Sequence, residues 1–257
     1  MEQIHLIENT ESTLLYFIDK CETTQLKLVE LIEGMSNFQN EVIGLYTFNQ
    51  TNGIGQSDSI WKQEPFKNCA LSVAIPIADI QDLIQLNKHL TLTILGIIQR
   101  YSNEPLTIKW PNDIVQDGQK VSGLLMQIFS IKKQKYLFLG IGVNTNQDLF
   151  PDDLKHATSL KLINNKAVEL EKLTHDLFFH VSQNAKPLYS LKLDTYFDNA
   201  LWRFQEETEL EIFKSKESVT MKAKIIGVDD SGRLRVEIQG IIMKFHHGEV
   251  KIKYKSP

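Results

Sequence analysis

Residues 107–127, TIKWPNDIVQDGQKVSGLLMQ, admit few folds. Asp117-Gly118 separates two arms of alternating apolar and polar residues. A two-residue type I′ turn, with φ > 0 at both centres, suits that pair and predicts a β-hairpin. The first arm holds Lys109-Trp110-Pro111-Asn112-Asp113. Proline keeps Trp110 extended and brings no amide donor, so strand pairing breaks there and leaves Asn112 and Asp113 at a strand end. The turn returns Lys120 toward that corner. Two cations, an amide and a carboxylate then converge on one anionic ligand. A polar hairpin with solvated lysines is the competing reading; it accounts for each charge singly but poorly for the group.

A second stretch points to the same place. In residues 136–146, Leu139, Ile141 and Val143 alternate with Gly140 and Gly142. One strand face is therefore aliphatic and the other bare. Glycine weakens a strand and often marks a ligand lying on the backbone, a β-bulge being the alternative. Gly123, on the preceding strand, extends that floor.

Elsewhere the apolar spacing predicts strands at 4–7, 42–48 and 71–77 and a helix over 79–99. Residues 14–32 read as an amphipathic helix, with Ser12 or Thr13 as its N-cap. Residues 167–200 read as helix. From about Glu206 the pattern changes to short strands at 210–213, 219–226, 234–238, 241–245 and 250–254, which suit a small barrel. His89, His175 and His180 have no partner at metal-ligand spacing, and His246-His247 read as turn residues. Two units follow, 1–205 and 206–257.

Apolar residues make up 42% of the 257, enough for an ordinary core. The net charge of −4 argues against a nucleic-acid protein. No apolar run approaches the roughly 18 residues of a membrane helix. The N-terminus has no basic and apolar leader, so a cytoplasmic protein is expected. Cys21 and Cys69 lack CxxC or Cys/His spacing and read as buried thiols in a reducing compartment.

KWPND followed by KVSGLLMQ resembles the core signature of the biotin–protein ligases, KWPND(I/L) then K(V/L)(G/A/S)G(I/L)L. The gap of eleven positions from Lys109 to Lys120 is also the family's. Glu11-Ser12-Thr13 is similar to the D/E-S-T motif of the family's biotin pocket. Gln50, Gly53, Gly55, Gln56 and Trp61 fit its ligand loop, Q-x-x-G-R-G-R/Q-R-G-x-x-W. Ile54 and Ser57 stand where that loop has arginines, and Asp58 stands at a glycine. Residues 64–69, EPFKNC, are similar to S/E-P-x-G-x-N-L, with Phe66 at the glycine. Gly140 to Asn146 resembles the family's G-(I/A)-G-(I/V)-N-(V/x)-N strand, and residues 157–160 its A-T-S-L. IIGVDDSGRLRV and HHGEVKI resemble its SH3-like C-terminal module.

The resemblance implies an α+β fold of the class II aminoacyl-tRNA synthetase/biotin ligase type. That fold is a mixed, largely antiparallel sheet packed with helices, plus a small C-terminal SH3-like β-barrel. It implies a monofunctional ligase without a DNA-binding domain, since three residues precede the first expected strand. Biotin and ATP are the implied substrates, with Mg²⁺, and biotinyl-5′-AMP is the intermediate. The acceptor is a lysine of a biotin carboxyl carrier domain in a biotin-dependent carboxylase. Neither nucleic acid nor a membrane is an expected partner, and a monomer or homodimer is expected. Lys120 is the implied catalytic residue. Ser12, Thr13, Gln50, Gly53, Gly55, Gln56, Trp61, Lys120 and Gly123 are implied for biotin. Lys109, Asn112, Asp113, Lys120 and Asn144 are implied for the nucleotide, with Asp113 also toward Mg²⁺. A lipoyl or octanoyl ligase of the same superfamily and a non-catalytic biotin-binding regulatory paralogue are the alternatives.

Overall fold

Strand β1 (Ile4–Asn9) turns straight back into β2 (Thr13–Ile18), with which it pairs antiparallel. The structure, a computed structural model, describes residues 3–35, 41–56, 59–77, 82–185, 193–214 and 217–253. The β1–β2 turn corrects the expectation of a helix over 14–32. Thr10 Oγ1 accepts from the amides of Ser12 (3.3 Å) and Thr13 (3.0 Å), so these residues shape a hairpin turn and cap no helix. Residues 13–18, TLLYFI, are mostly β-branched, aromatic or leucine, which favours a half-buried strand. Helix α1 (Thr24–Gly34) starts only afterwards.

The chain continues through β3 (Val42–Thr47), a small hairpin β4 (Gly53–Ile54) and β5 (Ile60–Trp61), and β6 (Cys69–Pro76). Helix α2 (Leu83–Gln99) follows. Its first amides, Ile84 and Gln85, donate to the Asp82 carboxylate; the expected start at Asp79 lies outside the described residues. Then come β7 (Thr107–Lys109), β8 (Asp113–Gln116), β9 (Gln119–Ile131) and β10 (Gln134–Val143). These strands build one eight-stranded sheet in the order β1-β2-β3-β6-β10-β9-β8-β7. Only β2 and β3 run parallel, so the expected largely antiparallel sheet is found.

The expected helix at 167–200 is divided. Helix α3 (Leu160–Asn164) precedes α4 (Leu170–Gln183), and α5 (Leu193–Asn199) is separate from it. Residues 186–192, between α4 and α5, lie outside the described residues. The sheet's two faces carry different cores. Leu71, Val73, Ile75, Leu137, Leu139 and Ile141 bury one face with residues of α2 and α4. Ile43, Leu45, Ala74 and Phe138 bury the other with Leu28 and Ile32 of α1. Strand alternation puts Gly140 and Gly142 on the α1 side.

The C-terminal strands are β11 (Glu207–Lys214), β12 (Glu217–Val228), β13 (Leu234–Ile238), β14 (Ile241–Phe245) and β15 (Val250–Ile252). They form the expected small antiparallel sheet, in the order β14-β13-β12-β11-β15. Tyr254, the expected end of the last strand, lies outside the described residues. This sheet packs on the hairpin: Ile108, Trp110 and Val115 share a core with Leu210, Ile225 and Val236. Trp110 Nε1 donates to the Gly232 carbonyl at 3.1 Å. Buried Lys88, on α2, joins the layers by donating to Asp194 (2.6 Å) and to the carbonyls of Val228 (3.4 Å) and Asp229 (3.3 Å). Among the described residues no helix is long and apolar enough to cross a membrane. Both cysteines are buried, free thiols, and burial pushes Cys69 up to about 12.

Candidate active site

The bare face of β10 is the floor of a cavity of about 350 Å³. A Cβ on Gly142 would run into the Trp61 ring, and one on Gly123 would meet Lys120 Cε at 2.8 Å and Trp61 at 3.1 Å. A Cβ on Gly140 would collide with the Gln25 amide. These glycines let Trp61 and the surrounding polar groups lie close to the backbone. Trp61 therefore lies over the floor, pairing through β5 with Gly53 of β4.

At one end the cavity wall is uncharged and polar: Thr23, Thr24, Gln25, Gln50 and Ser72. The site is built by the start of α1. Gln50 Oε1 accepts from the Thr24 amide (2.8 Å) and hydroxyl (3.1 Å), and Thr24 Oγ1 lies 2.8 Å from Ser72 Oγ. The amides of Thr51 and Asn52 donate to the carbonyls of Cys21 and Glu22, which fixes the helix start beside the loop.

The other end is charged. Asp117 (φ 44°) and Gly118 (φ 83°) make the turn with positive φ at both centres. The register shifts between Ile114 and Val115, so that Ile114 pairs with Ser122 and Val115 with Lys120. A bulge of this kind re-aims a side chain. Lys120 Nζ lies 2.8 Å from Asp113 Oδ1 and 5.7 Å from the centre of the Trp61 ring. Its backbone is held on both sides: the Lys120 amide donates to the His156 carbonyl, and the Lys120 carbonyl accepts from Thr158 and from Asn144 Nδ2. The strand thus fixes where the side chain begins, and Asp113 and the Trp61 face hold its ammonium. Asn144 lines the wall here as well.

The sequence profile of the Biotin/lipoate A/B protein ligase family matches residues 21–144, which hold the floor, the polar end and the Lys120–Asp113 pair. That match covers just under half of the chain and likens this part of it to the biotin/lipoate A/B protein ligases. Among its relatives are the bifunctional ligase/repressor BirA of Bacillus spizizenii and the human biotin–protein ligase. The first is 26% identical over 212 residues, 79% of this chain and 64% of the relative. The second is 26% identical over 238 residues, 82% of this chain and 31% of the relative. The chain thus spans less than two thirds of these relatives. The biotin protein ligase of Aquifex aeolicus, solved with biotin and ATP, has the same fold at a TM-score of 0.76 and 24% identity. That likeness covers 96% of this chain and all of the other. A Helicobacter pylori biotin acetyl coenzyme A carboxylase synthetase aligns at a TM-score of 0.58 and 19% identity, over 91% of this chain and all of the other.

This fold brings most of the expected residues together and leaves some out. Gln50, Gly55, Gln56, Trp61, Asp113, Lys120, Gly123 and Asn144 line the cavity. Ser12 and Thr13 do not; they form the β1–β2 turn. Gly53 lies behind the wall, where a Cβ would strike Gln50 and Trp61. Asn112 is buried just beneath it and accepts from Gln56 Nε2 at 2.9 Å. Lys109 lies 5.9 Å from the Trp202 ring instead. Burial lowers its pKa, Asp113 pulls it back up, and Lys120 lowers it further. Ser57 and Asp58 are outside the described residues.

Sequence reasoning missed Thr23, Thr24 and Gln25. Glu22-Thr23-Thr24 repeats the acid–hydroxyl–hydroxyl pattern of residues 11–13 immediately before a real helix, and that was the usable signal. It also missed His247, which lines the cavity from the C-terminal sheet.

Proposed function

We propose that the protein is an ATP-dependent biotin–protein ligase acting through biotinyl-5′-AMP. One observation carries this reading. A cavity with an uncharged hydrogen-bonding end joins, over a glycine floor, to an end bearing a fixed lysine. Biotin has that polarity, with a neutral ureido ring at one end and a carboxylate at the other. Thr23, Thr24, Gln25 and Gln50 suit the ureido ring, and Trp61 and the glycines suit the apolar body and chain.

In the first step a biotin carboxylate oxygen attacks the α-phosphorus of ATP. A carbonyl–O–P bond forms, the bond to the β-phosphate breaks, and pyrophosphate leaves. Both reactants are anions, so positioning and positive charge matter more than a strong base. Lys120 supplies the charge between them, Asn144 orients the phosphate side, and Asn112, buried beneath the wall, holds Gln56 in place. In the second step the neutral amine of a carrier lysine attacks the acyl carbon. The amide forms, AMP leaves with the acyl–oxygen bond pair, and the amine's proton is lost to solvent.

Mg²⁺ takes phosphate oxygens and water with one or two carboxylates. Asp113 is the lone carboxylate among the described cavity residues, which suits an ion that arrives on the nucleotide. Held there beside Asp113, such an ion would supply positive charge to the pyrophosphate leaving group. Lys109 belongs to this end as a half-buried cation behind the wall. The acceptor is a biotin carboxyl carrier domain. Residues 1–205 form the catalytic unit and 206–257 the appended SH3-like module.

Exchange of labelled pyrophosphate into ATP tests the first step without a carrier. Exchange that requires biotin, and that lipoate or octanoate does not support, is the expected result. Exchange with lipoate alone, or with no acid at all, refutes this assignment.

A further inference from the structure

We propose that His247 of the C-terminal sheet contacts the nucleotide, donating a ring N–H to one of its oxygens. The inference rests on the ligase reading above. It assigns to the appended sheet a direct part in adenylation.

His247 lines the cavity although it belongs to the other sheet. Its ring meets that of Trp110 in a T-shaped contact, with centres 5.8 Å apart. Trp110 is in turn fixed by its donation to the Gly232 carbonyl of the same C-terminal unit. Trp110 begins the corner that ends in Asp113, so His247 stands at the charged end of the cavity, where the phosphates lie in the proposed reaction. The turn that carries it is held in shape. The His246 amide donates to Glu249 Oε2 at 2.6 Å, the Glu249 amide returns to the His246 carbonyl at 3.1 Å, and Gly248 takes φ 89°.

What the ring lacks is a hydrogen-bond partner. Among the described residues neither ring nitrogen has one, and the residue is exposed while lining the cavity. A residue needed only to pack on Trp110 would not require ring nitrogens. Neutral imidazole always presents one N–H donor, and a nucleotide is rich in acceptor oxygens. The loop on the opposite side offers little positive charge, since residues 49–61 contain neither lysine nor arginine. A donor from the second sheet complements that deficit.

The test uses the full chain with saturating biotin. The nucleotide is α,β-methylene-ATP, whose α–β linkage does not break, so binding is read without turnover. Calorimetry compares wild type with His247→Ala, His247→Phe and His247→Gln. Loss of one hydrogen bond predicts nucleotide binding about threefold to tenfold weaker in the alanine and phenylalanine variants. Glutamine, which restores a donor, recovers part of the loss, and biotin affinity stays at the wild-type value in all three. An unchanged nucleotide affinity in His247→Ala, or an equal loss for biotin, overturns the proposal. So does a phenylalanine variant that binds as the wild type does. The ligase reading is judged separately by biotin-dependent exchange in the wild type. Exchange with His247-independent binding sinks this inference alone. His247-dependent binding without exchange sinks the ligase reading alone. A wild type that binds no nucleotide sinks both.

Discussion

Lys120 Nζ lies 2.8 Å from Asp113 Oδ1, with each side chain about one third exposed (37% and 31%). A pair this accessible contributes little to stability, about 0–1 kcal/mol after solvent screening. Its value is positional: the backbone of Lys120 is anchored by His156, Thr158 and Asn144, and Asp113 with the Trp61 face aims the ammonium into the cavity. Activity and stability should therefore separate. Lys120→Ala is expected to lower kcat for pyrophosphate exchange by about 10²–10³-fold, the scale of losing one preorganised charge-stabilising group. The urea midpoint should hardly move. Stopped-flow or exchange kinetics beside an unfolding curve checks both, and a matched fall in the two would assign Lys120 to the fold.

The glycine floor makes a steric prediction. A methyl on Gly142 occupies the space of the Trp61 ring, which has the cavity and its mouth to move into. Gly142→Ala is therefore expected to tilt Trp61 into the ligand space while the sheet persists. The KM for biotin should rise about tenfold or more, consistent with overpacking of about 1–3 kcal/mol felt by the ligand. Tryptophan fluorescence should shift in the free protein, and ATP affinity should change less. An unchanged biotin KM would mean that the acid lies elsewhere.

Asp229 gives a pH dependence. Burial pushes its carboxyl up, but the amide and guanidinium of Arg233, the Lys244 ammonium and the Ser231 amide outweigh this and bring it down to about 2. A carboxylate with a depressed folded-state pKa stabilises the fold above its unfolded value and stops doing so as pH falls through the folded one. The advantage of wild type over Asp229→Asn should be complete above the ordinary value of 3.8 and vanish as pH approaches about 2. Urea unfolding of the two proteins from pH 6 to pH 2 measures it, keeping ionic strength constant. A difference that persists undiminished at the acid end would show that the carboxylate charge is not responsible.

Much of the site was legible because its determinants are local. The Asp117-Gly118 turn, the break at Pro111 and the glycines at 140 and 142 each act through their own backbone chemistry, and each lies where the sequence predicts. The start of α1 was not legible in the same way. Residues 14–32 alternate and repeat in ways that fit both a strand and a helix, and pairing with β1 and β3 decides for a strand over Thr13–Ile18. That error carried Ser12 and Thr13 into the site in place of Thr23 and Thr24. His247 lay further from reach, because packing of one sheet on another brings it to Trp110 and no nearby residue signals the contact.

The β4–β5 hairpin is the weakest electrostatic part of the site, and this can be reversed. Ile54, 38% exposed, lines the cavity at the position where the motif that this loop resembles has arginine. The described cavity residues include two lysines, Lys62 and Lys120, and Lys62 is paired with Asp153 at 2.5 Å. In the proposed reaction the adenylate phosphate would therefore meet few cations, and an intermediate held by few charge-assisted bonds would escape sooner. Ile54 pairs with Ile60 at a hairpin surface, so a long polar side chain fits there without disturbing the core. Ile54→Arg is expected to raise the exchange rate by about tenfold, the worth of one hydrogen bond to a charged group. It should also reduce labelling of bystander amines by released adenylate, relative to labelling of a carrier domain. Faster exchange with more bystander labelling would separate chemistry from retention. No change in either would mean that the hairpin does not close over the phosphate.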